Sequence, residues 1–592
     1  MKKVFITAAF FLCFLCNKGF TQYPPAFSKE IIAGASVDPM KRVLLSPQRI
    51  VWKSNDSLVQ RSEVLLQKGT GQAFFGSQPV CRLTNKGNDT ASIILDFGKE
   101  IMGGLQITTS QSNRVTRKIR IRFGESVSET FSTVTGDGTS GKDGGATNHH
   151  AMRDFELTLP GYGTTEVGNS GFRFVRIDLL DKDAFVVLKE VRAIAVFRDI
   201  PYLGSFKCND DRLNKIWETG AYTVHLNMQE YLYDGIKRDR MVWAGDMHPE
   251  LMVINTVFGY QEVLPKSLDF LRDNTALPKF MNGIPSYSLW WIIMQHDWYQ
   301  YHGKLSYLQE QKSYLLPLLE LFAKYVDEKG SEQLQNIGFR FLNWPSSRNK
   351  EAVHAGLQGM MVIAFEKGAA LCKVLGEETK AKEYLGIAAK MRKYAPDPAG
   401  SKEAASLLTL AGITDAVKTN KDVIAVGGAE NFSAFFGYYM LQAQAKAGDY
   451  KGALNNIRSF WGGMLDMGAT TFWEEFDLKE AEGSAPIDDV VPSGKKDYHW
   501  STGDYCYIGV RRSLCHGWSA GPTAWLSEHV LGIQVLEPGC KKIKISPQLG
   551  DLHFAEGTFP TPMGVLYVKH TKAADGKVSS VIKAPRGVVI VK

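Results

Sequence analysis

One short stretch, residues 233–246, concentrates side chains suited to acid–base chemistry: Asp234, Asp239, Trp243 and Asp246. If its middle part is helical, Asp239, Trp243 and Asp246 fall at i, i+4 and i+7 and share one face. Carboxylates there could accept hydroxyl protons or act as acid and base, and an indole could stack on the apolar side of a sugar ring. An exposed helix with ordinary Asp–Arg pairs and one packed Trp explains the same spacing, so the residues alone leave both interpretations open.

The sequence DGIKRDRMVWAGD within this stretch resembles the signature of the inverting bacterial and fungal α-L-rhamnosidases of the six-hairpin type. That family has an Asp, an acidic residue five positions on, a Trp after four more and an Asp after three, and Asp234, Asp239, Trp243 and Asp246 match this pattern. Many members carry Glu where this chain has Asp239. The resemblance implies that Asp239 is the general acid and that Asp234, Arg238, Trp243 and Asp246 bind the sugar.

A glycosidase of this type needs a second carboxyl group, because an inverting enzyme places a water molecule between its base and the anomeric carbon. Residues 468–476 contain a Thr-Phe-Trp-Glu-Glu sequence that resembles the family's Thr-x-Trp-Glu segment, in which the Glu is the general base. The resemblance implies that Glu474 is the base and that Trp473 belongs to the sugar site. Glu475 is expected to be a surface or ion-paired carboxylate.

Three further residues, His516, Trp344 and Trp291, occupy segments where the family supplies sugar-pocket side chains. The resemblance implies substrate contacts for all three, although a structural histidine and a core tryptophan explain His516 and Trp291 equally simply. His296 and Asp297 match no family position, so core packing is expected for them.

The N-terminal region that must support this chemistry is predicted to be a β-sandwich over residues 22–201. Residues 91–97, 118–123 and 172–177 alternate between apolar and polar side chains, which predicts strands with one buried face. Several such strands at roughly regular spacing are typical of a sandwich. A Gly-rich loop at 135–148 is interpreted as a connector rather than a calcium or substrate site.

The pattern changes to helical near residue 204. An Asn/Asp cap before Leu213, followed by apolar residues spaced three and four apart, predicts helices over residues 202–532. Periodicity predicts only an all-α domain, and the resemblance implies an (α/α)6 barrel. Residues 533–592 return to alternating and β-branched segments, which predict a small C-terminal β-sandwich.

The first 21 residues predict a secretory signal peptide. Lys2 and Lys3 precede an apolar run at 4–15 that is too short to span a bilayer. We therefore expect an exported protein, periplasmic or at the cell surface, and Cys16 adds a lipid anchor as an alternative to simple cleavage. No later segment is long and apolar enough for a transmembrane helix.

Composition and missing motifs exclude several classes of protein. The net charge of +7 is spread over 592 residues with no Lys/Arg run, which argues against nucleic-acid partners. The six cysteines beyond residue 21 lack metal-ligand spacing, so no metal or other cofactor is expected, and a Cys506–Cys515 disulfide stays open. The sequence contains no Gly-x-Ser-x-Gly, P-loop or dinucleotide-binding signature, which argues against a serine hydrolase, an NTPase or a dehydrogenase. The residues predict no oligomeric state.

The resulting expectation is an exported inverting glycosidase that releases terminal α-L-rhamnose from plant or microbial glycans or glycosides. One alternative keeps the fold but changes the sugar, or replaces hydrolysis by a lyase reaction that uses Tyr or His as base. A second alternative is a secreted glycan-binding protein without turnover. The presence of both Asp239 and Glu474 argues against it, because binding alone does not need such a pair.

Overall fold

The fold is taken from a computed structural model. It describes Ser28 and residues 38–591, apart from residues 75, 111–114, 134–152 and 336. The predicted signal peptide and the Gly-rich loop at 135–148 therefore lie outside the described residues. Residues 40–592 form one compact unit.

A single antiparallel sheet makes up the described N-terminal region. Its strands are β1 (Met40–Leu45), β2 (Arg49–Lys53), β3 (Val59–Gln60), β4 (Cys81–Thr84), β5 (Ser92–Ser110), β6 (Arg117–Gly124), β7 (Asp154–Leu159), β8 (Tyr162–Leu179) and β9 (Phe185–Arg198). The order is β3-β4-β9-β5-β8-β6-β7, with β1 paired to β9 and β2 paired to β5. The three strands predicted at 91–97, 118–123 and 172–177 lie within β5, β6 and β8. This region has its own hydrophobic core, in which Leu105 and Phe172 are fully buried.

The central region is mainly helical, as predicted. Asp210 caps its first long helix by accepting hydrogen bonds from the backbone N–H groups of Arg212 and Leu213. The described helices, including one short helix before this region, are α1 (Val127–Phe131), α2 (Asp211–Asn227), α3 (Met247–Val257), α4 (Val263–Asp273), α5 (Pro285–His302), α6 (Leu305–Ala323), α7 (Lys350–Val374), α8 (Glu378–Met391), α9 (Lys402–Leu410), α10 (Ala416–Thr419), α11 (Gly437–Lys446), α12 (Tyr450–Asp466), α13 (Leu478–Ala481), α14 (Tyr498–Ser501) and α15 (Gly521–Trp525). None of the helices in the described ranges is long and apolar enough to cross a membrane.

The C-terminal region is sheet-rich, as predicted. Two short strands, β11 (Ser484–Ala485) and β12 (Lys496–Asp497), precede it, and its own strands are β13 (Ile533–Glu537), β14 (Lys542–Ile545), β15 (Phe554–Thr561), β16 (Gly564–Lys572), β17 (Val578–Lys583) and β18 (Val589–Val591). A further strand, β10 (Ser205–Cys208), comes from the start of the helical region and pairs with β15, so that Phe206 lies opposite Gly557. The order of this sheet is β10-β15-β16-β17, and β13, β14 and β18 form a second sheet. Because Phe206, Leu566 and many helical side chains share one hydrophobic core, this region packs directly on the helices.

Candidate active site

Residues 233–246, here called the motif loop, are irregular rather than helical, so the shared helical face considered for this stretch does not exist. The Asp234 carboxylate organises the loop instead. Its Oδ2 accepts a hydrogen bond from the N–H of Asp239 at 2.9 Å and its Oδ1 accepts one from the N–H of Met241 at 3.0 Å. These bonds satisfy backbone groups that a helix would have paired internally, and α3 begins only after the loop ends.

The motif loop forms one wall of a cavity of about 130 Å³, here called the candidate active site. All but two of the predicted site residues line it, namely Asp234, Arg238, Asp239, Trp243, Asp246, Trp344, Glu474 and His516. The other lining residues were not predicted, namely Ile284, Tyr287, Phe339, Phe341, Cys506, Arg511 and Trp518. The fold therefore brings together five chain segments, at 234–246, 284–287, 339–344, 474 and 506–518.

Arg238 joins the two candidate catalytic carboxylates. Its Nη1 donates to Asp239 Oδ1 at 3.1 Å and its Nη2 donates to Glu474 Oε1 at 2.7 Å. Burial would lower the pKa of Arg238, but the charges of Glu474 and Asp239 raise it, so the guanidinium stays protonated. The Glu474 side chain is only 5% exposed, whereas that of Asp239 is 23% exposed. Asp239 is thus the more exposed carboxylate of the pair.

Glu474 is held from the opposite side by residues 513–518. Its Oε2 accepts a hydrogen bond from the N–H of Ser513 at 2.8 Å, and its own N–H donates to the Ser513 carbonyl at 2.9 Å. The indole Nε1 of Trp518 donates to the Glu474 carbonyl at 2.9 Å. With Arg238 on its other oxygen, the carboxylate has a single defined position in the cavity.

His516 and Asp246 form a buried pair at the back of the site. Nε2 of His516 lies 3.0 Å from Oδ1 of Asp246, and both side chains are 3% exposed. Burial opposes protonation of His516, but its hydrogen bond to Asp246 and the charges of Glu474 and Asp234 raise its pKa to about 9. Burial, aided by the charges of Asp239 and Asp246 and opposed by that of His516, raises the pKa of Asp234 to about 7. The cavity therefore offers both donors and acceptors to the hydroxyl groups of a ligand.

Aromatic side chains form a wall of the same cavity. Trp243 and Tyr287 meet edge to face with ring centres 6.1 Å apart, Tyr287 meets Phe341 at 6.2 Å, and Phe341 meets Trp344 at 5.1 Å. Phe339 lies beside Phe341, with nearly parallel rings. The close spacing of Phe339, Phe341 and Trp344 is a signal that the sequence analysis could have used.

Trp291 and Trp473 do not line the site, so the structure does not support their prediction as sugar contacts. Trp291 is fully buried, donates its indole N–H to the Leu268 carbonyl at 3.1 Å and meets the ring of Tyr314. Trp473 is also fully buried and packs against the rings of Phe476 and Tyr498. Each has its large apolar surface satisfied by the core.

Two minor expectations are also settled. Glu475 is ion-paired, as expected, because its Oε2 accepts a hydrogen bond from Arg512 at 2.7 Å. Cys506 and Cys515 are both free thiols, so the disulfide that the sequence left open does not form. Over the described ranges, no cluster of three or more His, Cys, Asp or Glu side chains is arranged to hold a metal ion.

The N-terminal sheet region reaches this site through two buried carboxylates, Glu125 and Glu129, that the sequence did not indicate. Oε2 of Glu125 accepts from the Lys237 ammonium at 2.9 Å and from the N–H of Leu514 at 2.7 Å. Lys237 also lies 3.2 Å from Glu129. Because Lys237 precedes Arg238 and Leu514 belongs to the segment that holds Glu474, Glu125 connects the two segments that carry the candidate acid and position the base.

A pair of carboxylates beside an aromatic wall is an arrangement that glycosidases use. Residues 201–397 match the family model described as the bacterial alpha-L-rhamnosidase 6 hairpin glycosidase domain. A curated alpha-L-rhamnosidase from Alteromonas sp. (strain LOR) is 24% identical over 82% of this chain. Residues 201–397 are thus similar to the glycosidase domain of bacterial α-L-rhamnosidases.

Solved structures share the fold. A GH78 family rhamnosidase of Bacillus sp. GL1 is 21% identical with a TM-score of 0.69, over 89% of this chain and 55% of that one. A rhamnosidase from Klebsiella oxytoca with rhamnose bound is 19% identical with a TM-score of 0.63, over 83% of this chain and 96% of that one. The chain spans about half the length of the curated Alteromonas relative, of which 54% is covered.

Proposed function

We propose that this protein is an inverting glycoside hydrolase that releases terminal α-L-rhamnose from glycans or glycosides. Asp239 is the general acid and Glu474 the general base. The observation that carries the proposal is the Arg238 guanidinium, which holds one oxygen of each carboxylate at 3.1 and 2.7 Å. The family match over residues 201–397 supports the same reaction, and with it an (α/α)6 arrangement of the helices. The sandwich arrangements proposed for the flanking sheets rest on their strand patterns.

The reaction transfers two protons, one from Asp239 to the substrate and one from water to Glu474. Asp239 gives its proton to the glycosidic oxygen while the bond from that oxygen to the anomeric carbon breaks. Glu474 takes a proton from a water molecule that attacks the opposite face of the same carbon, which inverts its configuration. The negative charge thereby passes from Glu474 to Asp239. Because Arg238 contacts both groups, one cation compensates this charge before and after the reaction.

The cavity chemistry also suits the proposed sugar. Rhamnose is a 6-deoxy sugar, so its methyl group needs an apolar surface, which Trp344 and Phe341 supply. Its hydroxyl groups need hydrogen-bond partners, which Asp234, Asp246 and His516 supply from the other side.

The first test is hydrolysis of p-nitrophenyl α-L-rhamnoside by the wild type, Asp239→Asn and Glu474→Gln, with the product anomer followed by NMR. We expect β-rhamnose to appear first and both variants to lose about 100-fold or more in kcat. Glu475→Gln is a matched control, because that carboxylate pairs with Arg512 instead of lining the candidate active site. If Asp239→Asn keeps its activity, the acid is another residue of the motif loop, and Asp234 and Asp246 are tested next.

The alternatives predict different outcomes of the same experiment. Another sugar specificity would show as turnover of a different p-nitrophenyl glycoside that still requires Glu474. A lyase would release an unsaturated product and tolerate Glu474→Gln. A glycan-binding protein would give glycan-array signals without turnover of any glycoside.

We also propose export to the periplasm or the cell surface. The proposal rests on Lys2, Lys3 and the apolar run at 4–15. N-terminal sequencing of protein recovered from fractionated cells should find the chain processed before residue 23. An acyl group on Cys16 would instead establish the lipid-anchored form, and an unprocessed chain in the cytoplasmic fraction would contradict export.

A further inference from the structure

A second cavity, of about 480 Å³, lies beside the candidate active site and is here called the base-side cavity. Within the described ranges, Glu474 is the only residue that lines both cavities. Asp239, the candidate acid, lines the first cavity and not the second. The candidate base therefore faces two spaces, one for the sugar and one that the candidate acid does not reach.

The base-side cavity leads from the protein surface to Glu474. Among its lining residues is Asp504, whose side chain is 60% exposed. Asn343, Ser433 and Glu474, which also line it, are at most 7% exposed and lie at its inner end. Small molecules can thus reach the candidate base by a route that does not pass Asp239.

The lining of this cavity is rich in acceptors of hydrogen bonds. Glu403 and Glu480 have no ion-pair partner in the part of the chain that the structure describes, and Oε2 of Glu480 is buried without a hydrogen bond. Of the described lining residues, Lys402 is the only cation, and its ammonium donates to the carbonyls of Gly428 and Glu430 at 2.8 Å each. The excess of negative charge disfavours an anionic ligand, and the unused oxygen atoms suit water, which can donate to them.

Tyr507 identifies water as the occupant beside the base. It is only 2% exposed and lines the cavity, and its hydroxyl makes no hydrogen bond to any described residue. Its ring meets that of Trp518, whose indole holds the Glu474 carbonyl, with ring centres 6.5 Å apart. Burial raises the pKa of the hydroxyl, and the charges of Cys506 and Glu474 raise it further, so the group stays protonated. A buried hydroxyl of this kind is normally satisfied by water.

The Glu474 carboxylate has room for the same water. Its Oε1 accepts one hydrogen bond from Arg238 and its Oε2 accepts one from the N–H of Ser513. Because each carboxylate oxygen can accept two hydrogen bonds, both retain a position for water. An inverting hydrolysis needs its water on the side opposite the leaving group. A cavity that reaches the base and not the acid is suited to supply it.

We propose that the base-side cavity holds the water that the reaction consumes and that Tyr507 positions this water. The proposal rests on the hydrolysis proposed above. One O–H of the water donates to Glu474, which takes that proton, and the other donates to the Tyr507 oxygen. A lone pair of the water oxygen forms the bond to the anomeric carbon while the glycosidic bond breaks and Asp239 protonates the leaving oxygen. Tyr507 exchanges no proton with the substrate, so it is a positioning residue.

The first test compares Tyr507→Phe with the wild type on p-nitrophenyl α-L-rhamnoside and on α-L-rhamnosyl fluoride, whose leaving group needs no proton. We expect kcat to fall about tenfold or more on both substrates with KM unchanged, because the water loses one of the two groups that orient it. Tyr384→Phe is the matched control. Tyr384 is fully buried, its hydroxyl has no hydrogen-bond partner among the described residues, and it lines neither cavity.

The second test is a crystal structure of Asp239→Asn with p-nitrophenyl α-L-rhamnoside. We expect a water molecule within hydrogen-bond distance of both the Tyr507 hydroxyl and the Glu474 carboxylate. The nitrophenyl ring in the base-side cavity would overturn the proposal, and so would equal kcat values for Tyr507→Phe and Tyr384→Phe. A rise in KM with kcat unchanged would overturn it as well, because it would indicate a contact with the sugar. An inactive wild type would instead contradict the hydrolysis itself, and the crystal structure would still show whether Tyr507 and Glu474 share a water.

Discussion

Arg238 is the residue on which the candidate active site depends most directly. Replacing it with Met leaves Asp239 and Glu474 facing each other without a cation. We expect a loss of about 3–5 kcal/mol in the free energy of unfolding, because a buried ion pair is broken from one side. We also expect at least a 100-fold loss in kcat/KM, because both carboxylates lose their position. Urea unfolding and hydrolysis rates measure the two effects.

Arg240 provides the control for this prediction. It lies on the same loop, but its guanidinium donates to the Asn169 carbonyl at 2.8 Å and touches neither candidate catalytic carboxylate. Arg240→Met should therefore keep most of the activity. If Arg238→Met behaves like Arg240→Met in both assays, the bridging role of Arg238 is wrong.

His516 makes stability depend on pH. Its pKa of about 9 in the folded protein exceeds its ordinary value of 6.5, so the folded state binds the proton more tightly than the unfolded state. The resulting stability, at most about 3 kcal/mol, is fully present below pH 6.5 and is lost as the pH rises through about 9. His516→Gln should remove this pH dependence. Urea unfolding at a series of pH values in this window tests it, and equal slopes for variant and wild type would contradict it.

Single side chains show where reasoning from sequence stops. Asp234, Asp239 and Glu474 could be predicted as site residues because short motifs carry them, and their roles stay predictions. Trp291 and Trp473 do not line the candidate active site, and the sequence could not show this, because a tryptophan in a sugar pocket and one in a core look alike until the neighbouring elements are placed. Tyr287 carries no local signal at all, since it joins the aromatic wall only through the packing of α5.

Among the elements, the motif loop differs most from expectation, although the regular elements around it were predictable. Apolar residues spaced three and four apart at 354–375 and 450–460 predict helices, and α7 and α12 lie there, because apolar periodicity is a local property. The irregular path of the loop depends on the Asp234 carboxylate and on partners from other regions. Such tertiary hydrogen bonds leave no periodic trace in the sequence.

Glu125 allows a prediction about how one element positions another. Glu125→Ala removes the acceptor shared by Lys237 and Leu514, so both catalytic segments should loosen. We expect kcat to fall about tenfold or more with little change in KM, since Glu125 does not contact the substrate cavity. Glu125→Gln keeps an acceptor for the Leu514 N–H and should recover part of the loss.

The control is Glu156→Ala on β7, whose carboxylate forms an exposed ion pair with Lys118. It removes a sheet carboxylate of equal size that does not reach the site, and surface ion pairs contribute little stability. Equal kinetics for Glu125→Ala and Glu156→Ala would show that the sheet does not position the catalytic segments. A proportional rise in KM would point instead to a disturbed sugar pocket.

At the scale of the whole molecule, the hydrophobic cores do not follow the three predicted regions. The N-terminal sheet has one core, whereas the helices and the C-terminal sheets share another. The order of sheet, helices and sheet was predictable from periodicity. The contribution of β10 to the C-terminal sheet was not, because strand pairing over some 350 residues has no local signature.

Two matched substitutions test this division. Leu105→Ala lies in the core of the N-terminal sheet and Leu566→Ala in the shared core, and both leucines are fully buried. Each should cost about 2–5 kcal/mol. Calorimetry with parallel activity measurements should show Leu566→Ala lowering the transition at which helices melt, and Leu105→Ala lowering a transition of the sheet. Identical shifts of one common transition in both variants would show a single cooperative unit instead.

The carboxylate of Glu125 also bears on the exchange of modules between relatives. Its partners, Lys237 and the backbone of Leu514, belong to the helical region. A chimera that imports a foreign N-terminal sheet therefore loses both Glu125 and Glu129, and leaves the buried ammonium ion of Lys237 without a counter-charge. Recombination at the linker near residue 201 should therefore give inactive hybrids unless the donor sheet brings an acidic residue at the same place. Protein engineers who exchange these regions would therefore have to transfer Glu125 and Lys237 together.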